Sequence, residues 1–277
     1  GGIYKGSEAN KETLFNYSGI LRLNNVTSTS EGGLALNNWA TTYINGGQYD
    51  GGQPTIRNRQ SYSHIELDGD VKVNVDQWNA LLNQGTAIIR NGTYTGNAYP
   101  TIGLLKGSKT FVYGGTFKNI NTEQLGKVFS NAGELTIDGA DVQIENVGGT
   151  ACAVGNTGTL TFNNGTVTAP KGAAILNTSS TDTGATISGG TLKDSKYGIQ
   201  VSSGQVKLND VTFSNNENDI YLMQGMKITI ADSFTKRATI KVEDADAFDG
   251  RRLTEGENEP GLNLVSNNPG YKVAYDE

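Results

Sequence analysis

The sequence has few residues that could join chain segments through covalent or metal links. It has 277 residues but only one cysteine, Cys152, and one histidine, His64. A single cysteine excludes an internal disulfide framework and a multi-cysteine metal site, and a single histidine excludes a multi-histidine zinc site.

Long apolar runs, basic clusters and prolines are also scarce. No stretch reaches the roughly 18 apolar residues of a membrane span, and no charged start followed by an apolar run marks a signal peptide. The formal net charge is −6, which argues against nucleic acid or an anionic membrane as the main partner. The opening Gly1-Gly2 is typical of a cloning scar, so we expect the chain to be a piece of a longer protein.

Glycine, by contrast, is abundant. There are 37 glycines but only five prolines, so the chain is not a flexible Pro/Gly linker. The glycine content is roughly twice the usual share of about 7%. Although only 35% of the residues are hydrophobic, 12 tyrosines, eight phenylalanines and two tryptophans can fill a core. Disorder of the whole chain is therefore not expected.

A repeat of 21 to 25 residues runs through most of the sequence. It reads as an apolar residue, any residue, then Gly, Asn or Asp, a small residue, often Thr, and an aromatic or aliphatic residue, as in Val112–Phe117 and Ile187–Leu192. We call the first residue of each copy its anchor. All ten anchors are apolar, as a column stacked inside a core requires: Leu23, Ile44, Leu67, Ile89, Val112, Ile137, Phe162, Ile187, Leu208 and Ile230.

The second place after each anchor indicates a bend in the backbone. Glycine, asparagine and aspartate tolerate the left-handed conformation, and only these three types occur there. The second place before each anchor is mostly apolar, which is strand periodicity. Each repeat is therefore predicted to contain a strand, a tight left-handed corner and a second short strand, with corners at Asn25, Gly46, Gly69, Asn91, Gly114, Gly139, Asn164, Gly189, Asp210 and Asp232.

Further columns follow the same period. Asn131, Asn156 and Asn177 lie one repeat apart, and stacked asparagines can hydrogen-bond along a column. A core ladder is predicted from Tyr94, Phe117, Val142, Val167, Leu192 and Phe213. The column beside it is predicted to be broken by Asp141 and to face partly inward, and it contains Thr27, Thr93, Thr116, Thr166, Thr191 and Thr212.

These columns predict an all-β fold, a parallel β-helix of about ten rungs, where a rung is one turn of the coil. A leucine-rich repeat has a similar length but needs a leucine pattern that is absent. We expect a lead-in at residues 1–20, the β-helix at 21–232, and a strand pair with a capping segment at 233–277. Residues 76–82 fit either one helical turn or an irregular rung.

The rungs resemble right-handed parallel β-helix proteins of the pectate-lyase-like superfamily, and in particular the β-helix repeats of cell-surface proteins from Gram-positive gut bacteria. The resemblance covers residues 20–277 and implies a right-handed coil, an extracellular location and a large wall-anchored parent protein with further domains. The segments that carry it are Gly114–Phe117, Gly189–Leu192, Val211–Asn216, Asp219–Leu222, Ile228–Ile230, Ala238–Glu243 and Asn268–Val273.

This superfamily includes polysaccharide lyases and glycoside hydrolases, which need clustered carboxylates. Only Asp210 and Asp232 share a register one turn apart, and both occupy corner positions that Gly and Asn also fill. Asp141 is a lone candidate for a polar ligand contact. His64 is expected on the outer side of a strand, and Cys152 is expected to be a buried small hydrophobic residue. No catalytic residues are predicted.

A Ca²⁺ site is a weaker alternative in the acidic segment that contains Asp244, Asp246, Asp249 and Glu255. The segment departs from the EF-hand pattern because its third acid and its glycine each come one place late. A solvated acidic loop is the simpler interpretation, so no cofactor is expected.

Aromatic residues outside the core columns are the candidate binding residues, since Tyr and Trp are favoured in interfaces and sugar sites. They are Trp39, Tyr43, Tyr62, Trp78, Tyr99, Tyr197 and Tyr221.

The expected function is that of a non-enzymatic, adhesin-like surface domain. Its partner would be a host macromolecule such as an immunoglobulin, another host protein, a mucin or a glycan. The domain is expected to be monomeric and extracellular, without membrane insertion. Two alternatives stay open: a polysaccharide-active lyase or hydrolase of the β-helix type, and a structural spacer.

Overall fold

The computed structural model describes residues 1–7, 11–122, 126–181, 184–231, 234–243, 252–255, 263–270 and 272–273. Within these residues there are 28 strands, β1 to β28, and no α-helix. The strands form two sheets. No helical segment among the described residues has the length and hydropathy needed to cross a membrane.

Sheet 1 has 16 strands. In several rungs one long strand passes through the corner, and in others the corner separates two short strands, which we call the first and second segments of the rung. The strands are β1 (Ile3–Gly6), β3 (Ile20–Ser30), β5 (Thr41–Asp50), β7 (His64–Val75), β9 (Thr86–Ile89), β10 (Thr93–Gly96), β12 (Lys109–Val112), β13 (Thr116–Asn119), β15 (Glu134–Asn146), β17 (Thr159–Thr168), β19 (Ala185–Ile187), β20 (Thr191–Lys193), β22 (Val206–Leu208), β23 (Thr212–Ser214), β25 (Ile228–Ile230) and β27 (Thr254–Glu255).

Sheet 2 has 12 strands and follows the same order along the chain. Its strands are β2 (Leu14–Asn16), β4 (Leu36–Asn38), β6 (Ile56–Asn58), β8 (Leu81–Asn83), β11 (Ile102–Leu104), β14 (Phe129–Asn131), β16 (Val154–Asn156), β18 (Ala173–Asn177), β21 (Tyr197–Val201), β24 (Asn218–Leu222), β26 (Ala238–Val242) and β28 (Leu264–Ser266).

The strands pair in parallel with the next rung, and this confirms the predicted β-solenoid of about ten turns. Each anchor pairs with the following anchor, from Leu23 with Ile44 to Leu208 with Ile230. All ten anchors are buried and belong to one continuous core. The sequence period therefore predicted the register of the first segments correctly.

The corners are of two kinds. A left-handed residue was predicted two places after every anchor, and this prediction was wrong for most of the described corners. Asn25, Gly46 and Gly69 have positive φ. In four later rungs the positive φ lies one residue further along, at Gly92, Gly115, Gly165 and Gly190.

Gly114 and Gly139 are needed for a different reason. Neither has positive φ, and a Cβ there would overlap the carbonyl oxygen of Arg90 or Tyr113 in the preceding rung. At these two corners glycine allows close stacking of rungs.

The pairing of the second segments differs from the predicted core ladder in one rung, that of β15. Phe117 pairs with Ile144, not with Val142, and Thr116 pairs with Gln143. Ile137 pairs with Phe162 and Ile144 with Val167, so the corner of β15 has two more residues than that of β17. Asp141 is exposed within this bulge and does not interrupt the threonine column.

The threonine column lies on the outer side of sheet 1, which corrects the prediction that it faces partly inward. Its neighbours Tyr94 and Phe117 are fully buried, and alternate residues of a strand point to opposite sides. Thr93 is exposed, and Thr116 is partly exposed.

Buried asparagines join the rungs of sheet 2. The predicted column of Asn131, Asn156 and Asn177 is confirmed: the Nδ2 of each of the first two donates to the Oδ1 of the next at 2.8 Å. The same Nδ2 groups donate to the backbone carbonyl groups of Thr159 and Gly184. The carboxamides thus satisfy backbone groups inside the coil, where water is excluded.

Four further members were missed by the sequence analysis, although each ends a triplet of an apolar residue, any residue and asparagine. Their Nδ2 groups donate along the chain in the same direction, and Asn83 then donates to Thr110 Oγ1 at 2.9 Å. Leu104 takes the place of the next asparagine and separates the two ladders. The four are Asn16, Asn38, Asn58 and Asn83.

Parallel pairing extends past the predicted boundaries at residues 20 and 232. β1 and β2 already pair with β3 and β4, and β27 and β28 pair with β25 and β26. A capping role for the last segment stays a prediction. In residues 76–82 the structure has bends that lead into β8, not a helical turn.

The ladder makes a prediction about stability. Asn156→Ala removes a fully buried carboxamide that links three rungs, and we expect it to lower the free energy of unfolding by about 1–3 kcal/mol because buried partners lose their hydrogen bonds. The measurement is urea denaturation.

Asn74→Ala is the matched control, since Asn74 lies exposed on the outer side of β7. Equal urea midpoints for the two variants would contradict a stabilising role for the ladder.

Candidate functional site

Two of the predicted aromatic residues form an exposed stacked pair. Trp78 and Tyr99 come from successive rungs, and their rings lie 4.9 Å apart between centroids and nearly parallel, at 8°. They are 37% and 47% exposed. Such a pair holds two large amphipathic rings in a fixed orientation at the surface.

The strand register explains why these rings meet. Trp78 lies three places before Leu81, and Tyr99 lies three places before Ile102, with which Leu81 pairs. We define the leading edge of sheet 2 as the residues two and three places before Leu81, before Ile102 and before the residues that pair with them in later rungs. The residues three places before, in successive rungs, are Trp78, Tyr99, Gly126, Ala151, Gly172 and Lys196.

A second stacked pair lies further along sheet 2. Tyr197 belongs to the leading edge, two places before Ile199, whereas Tyr221 lies inside β24 of the next rung. The rings of Tyr197 and Tyr221 are 4.6 Å apart and inclined by 20°. Lys196 Nζ lies 5.3 Å from the centre of the Tyr197 ring, and Lys241 Nζ lies 5.8 Å from the centre of the Tyr221 ring. Ammonium groups at such distances are attracted to the ring faces.

A cavity of about 320 Å³ lies between the two aromatic pairs, next to Tyr197. Three lysines line it, Lys127, Lys171 and Lys196, together with Gln200. These lysines were not predicted from the sequence, because each has the context of an ordinary surface charge. The only signal for them is their position relative to the sheet 2 strands in three different rungs.

The other predicted aromatic residues are not part of this edge. Trp39 packs with Phe15 and Tyr17 near the first rungs, with ring centroids 5.3 and 5.7 Å away. Tyr43 contacts Arg22, whose guanidinium lies 4.5 Å from the ring centre.

Two further predicted positions also lie away from the edge. Tyr62 is 75% exposed in the turn between β6 and β7. His64 lies on the outer side of β7, 6.0 Å from the Tyr43 ring. The seven aromatic residues therefore do not form a single patch.

Cys152 lies in the wall of the cavity and is buried, as predicted. Burial raises the pKa of its thiol to about 11, and the nearby Lys127 ammonium lowers the pKa by a smaller amount. The thiol is therefore protonated at neutral pH, which is the state of a packing residue.

The acidic candidates do not form a cluster within the described residues. Asp210 forms an ion pair with Lys236 at 3.1 Å, whereas Asp232 lies outside the described residues. No group of three or more His, Cys, Asp or Glu residues suitable for a metal ion occurs in the described part of the chain.

The candidate Ca²⁺ segment is not covered by this finding. Asp244, Asp246 and Asp249 lie outside the described residues, and only the backbone of Glu255 is described.

No family model matches the chain, and neither a curated protein nor a solved structure matches it. The assignment of the β-solenoid therefore rests on the strand pairing of this chain itself.

The buried thiol makes a prediction about pH dependence. Since the raised pKa lowers the thiolate fraction, we expect iodoacetamide to modify Cys152 of the folded protein about a hundredfold more slowly at pH 8 than in urea. The rate should rise as the pH approaches 11. Mass spectrometry of timed samples measures it, and equal rates at pH 8 with and without urea would contradict the burial of the thiol.

Proposed function

We propose that this protein is a non-enzymatic, adhesin-like binding domain at a bacterial cell surface, and that the leading edge of sheet 2 recognises a glycan of a host macromolecule. The observation that carries the proposal is the exposed, parallel stack of Trp78 and Tyr99 on successive rungs. Aromatic ring faces are suited to the apolar faces of sugar rings, and both rings keep substantial exposure.

The length of the edge favours an extended ligand. Trp78 belongs to the rung of β8 and Tyr197 to that of β21, five rungs further along sheet 2. With strands about 4.8 Å apart, the edge from one aromatic pair to the other is about 24 Å long. A flexible oligosaccharide could contact both pairs at once, so two weak contacts would add in one complex.

The regular scaffold supports recognition through preorganisation. Backbone pairing fixes each rung relative to its neighbours, so the aromatic residues are held in place before a ligand arrives. Preorganised groups lose little conformational freedom on binding, and this improves affinity. Solenoids present such extended surfaces to large ligands.

The finer identity is part of the same proposal. We infer that the coil is right-handed and of the pectate-lyase-like type, from an extracellular, wall-anchored protein of a Gram-positive gut bacterium. The support is the resemblance of the glycine-rich corners and of the last rungs. A mucin is then the host macromolecule that best fits a surface with stacked aromatic residues.

The binding proposal makes a prediction about two side chains. We expect the protein to bind mucin or a class of glycans on an array, and we expect Trp78→Ala or Tyr99→Ala to weaken binding about tenfold or more, as for a central aromatic contact. Biolayer interferometry against mucins, immunoglobulins and matrix proteins measures this.

Tyr113→Ala is the matched control, because Tyr113 has similar exposure but lies in a corner of sheet 1. Binding to immunoglobulin or a matrix protein alone would overturn the glycan proposal, and absence of binding to the whole panel would favour a spacer. Cleavage of a polysaccharide would support the enzyme alternative.

A further inference from the structure

We propose that the cavity between the aromatic pairs binds the acidic group of a sugar, either a carboxylate or a sulfate. The inference rests on the proposed glycan-binding function and adds the chemistry of one subsite. At about 320 Å³ the cavity lies at the lower end of the range of ligand pockets, about 300–1,000 Å³. This volume fits one sugar residue with its substituent.

Three positive charges meet at this cavity from three different rungs. Lys127 lies before β14, Lys171 before β18 and Lys196 before β21. Among the described residues no carboxylate lines the cavity. Like charges that share a recess repel one another, and an anionic ligand would relieve that repulsion.

Five lysines elsewhere on the described surface form ion pairs with Asp or Glu side chains. None of the three cavity lysines has an ion pair with a described residue. The protein has a net charge of −6, yet the described residues that line this recess include no carboxylate. The paired lysines are Lys72, Lys109, Lys118, Lys193 and Lys236.

Small residues make room for the ligand. Along the leading edge, the places that hold Trp78 and Tyr99 in earlier rungs hold Ala151 and Gly172 at the cavity, and both line it. Aromatic side chains at these places would fill the recess. The cavity therefore follows from the pattern of large and small residues along one column.

The uncharged groups favour a sugar over a bare inorganic anion. Tyr197 lines the cavity and is held in place by its stack with Tyr221, so it offers part of a ring face. Gln200 adds a carboxamide, and the contacts of its Nε2 with described residues are long, 3.4 Å to Ser202 Oγ and 3.6 Å to Met223 Sδ. The amide can therefore exchange these contacts for sugar hydroxyl groups.

The test compares three small sugars: sialyllactose, which carries a carboxylate, sulfated lactose, and neutral lactose. Isothermal titration calorimetry of the intact protein at low and high salt measures the affinities. We expect at least one acidic sugar to bind about tenfold or more tightly than lactose, because charge-assisted hydrogen bonds add to the complex. The preference should fall at high salt, because ions screen the lysines. The tighter of the two acidic sugars identifies the acid.

Three variants test the lysines: Lys127→Gln, Lys171→Gln and Lys196→Gln. Each should weaken acidic-sugar binding about tenfold, whereas Lys196→Arg should retain it because the charge is kept. Lys207→Gln is the matched control, since it removes the same charge from an exposed position of β22. The melting temperature of each variant reports whether the fold is intact.

Two outcomes separate this subsite from the wider proposal. If mucin binds but acidic and neutral sugars bind alike and the lysine variants behave as wild type, the subsite is wrong and the glycan-binding function stands. If acidic sugars bind through the lysines but no host macromolecule binds, the subsite stands and the adhesin-like function is wrong.

Discussion

The register in which each turn of backbone pairs with the next determines the rest of this structure. The anchors stack because the parallel ladder places them over one another, and the buried carboxamides of Asn131 and Asn156 meet for the same reason. A slip of one residue would turn the core side of a strand toward solvent. Because polar and apolar columns both require the same alignment, the core and the hydrogen-bond ladder specify one register together.

The sequence predicted most of this fold because columns of like residues leave a regular period. The sequence-based prediction failed at the corners, where glycine has two different structural roles. Gly69 takes a positive φ, whereas Gly139 has no such φ and lets the rung before it approach closely. Residue type alone does not distinguish these cases. The bulge in β15 was missed for a similar reason, since a spacing of 25 residues between anchors does not say where two extra residues lie.

The candidate site was predictable in its residue types but not in its arrangement. Trp78 and Tyr99 were predicted as aromatic residues outside the core, yet their stacking depends on the path of the two chain segments that lead into β8 and β11. The cavity lysines had no pattern at all, since Lys127 and Lys171 are separated by almost two repeats. Surface sites on a solenoid combine residues from several rungs, and only the register brings them together.

The asparagine ladder gives the coil a direction. Asn16, Asn38, Asn58 and Asn83 all donate an Nδ2 hydrogen toward the next rung, and the last three accept at Oδ1 from the rung before. Insertion or loss of a whole repeat leaves this chain of donors and acceptors intact, whereas a partial repeat breaks it. Gene duplication in units of one turn is therefore the route by which such a coil can change length, and each added turn lengthens the leading edge of sheet 2 by about 4.8 Å.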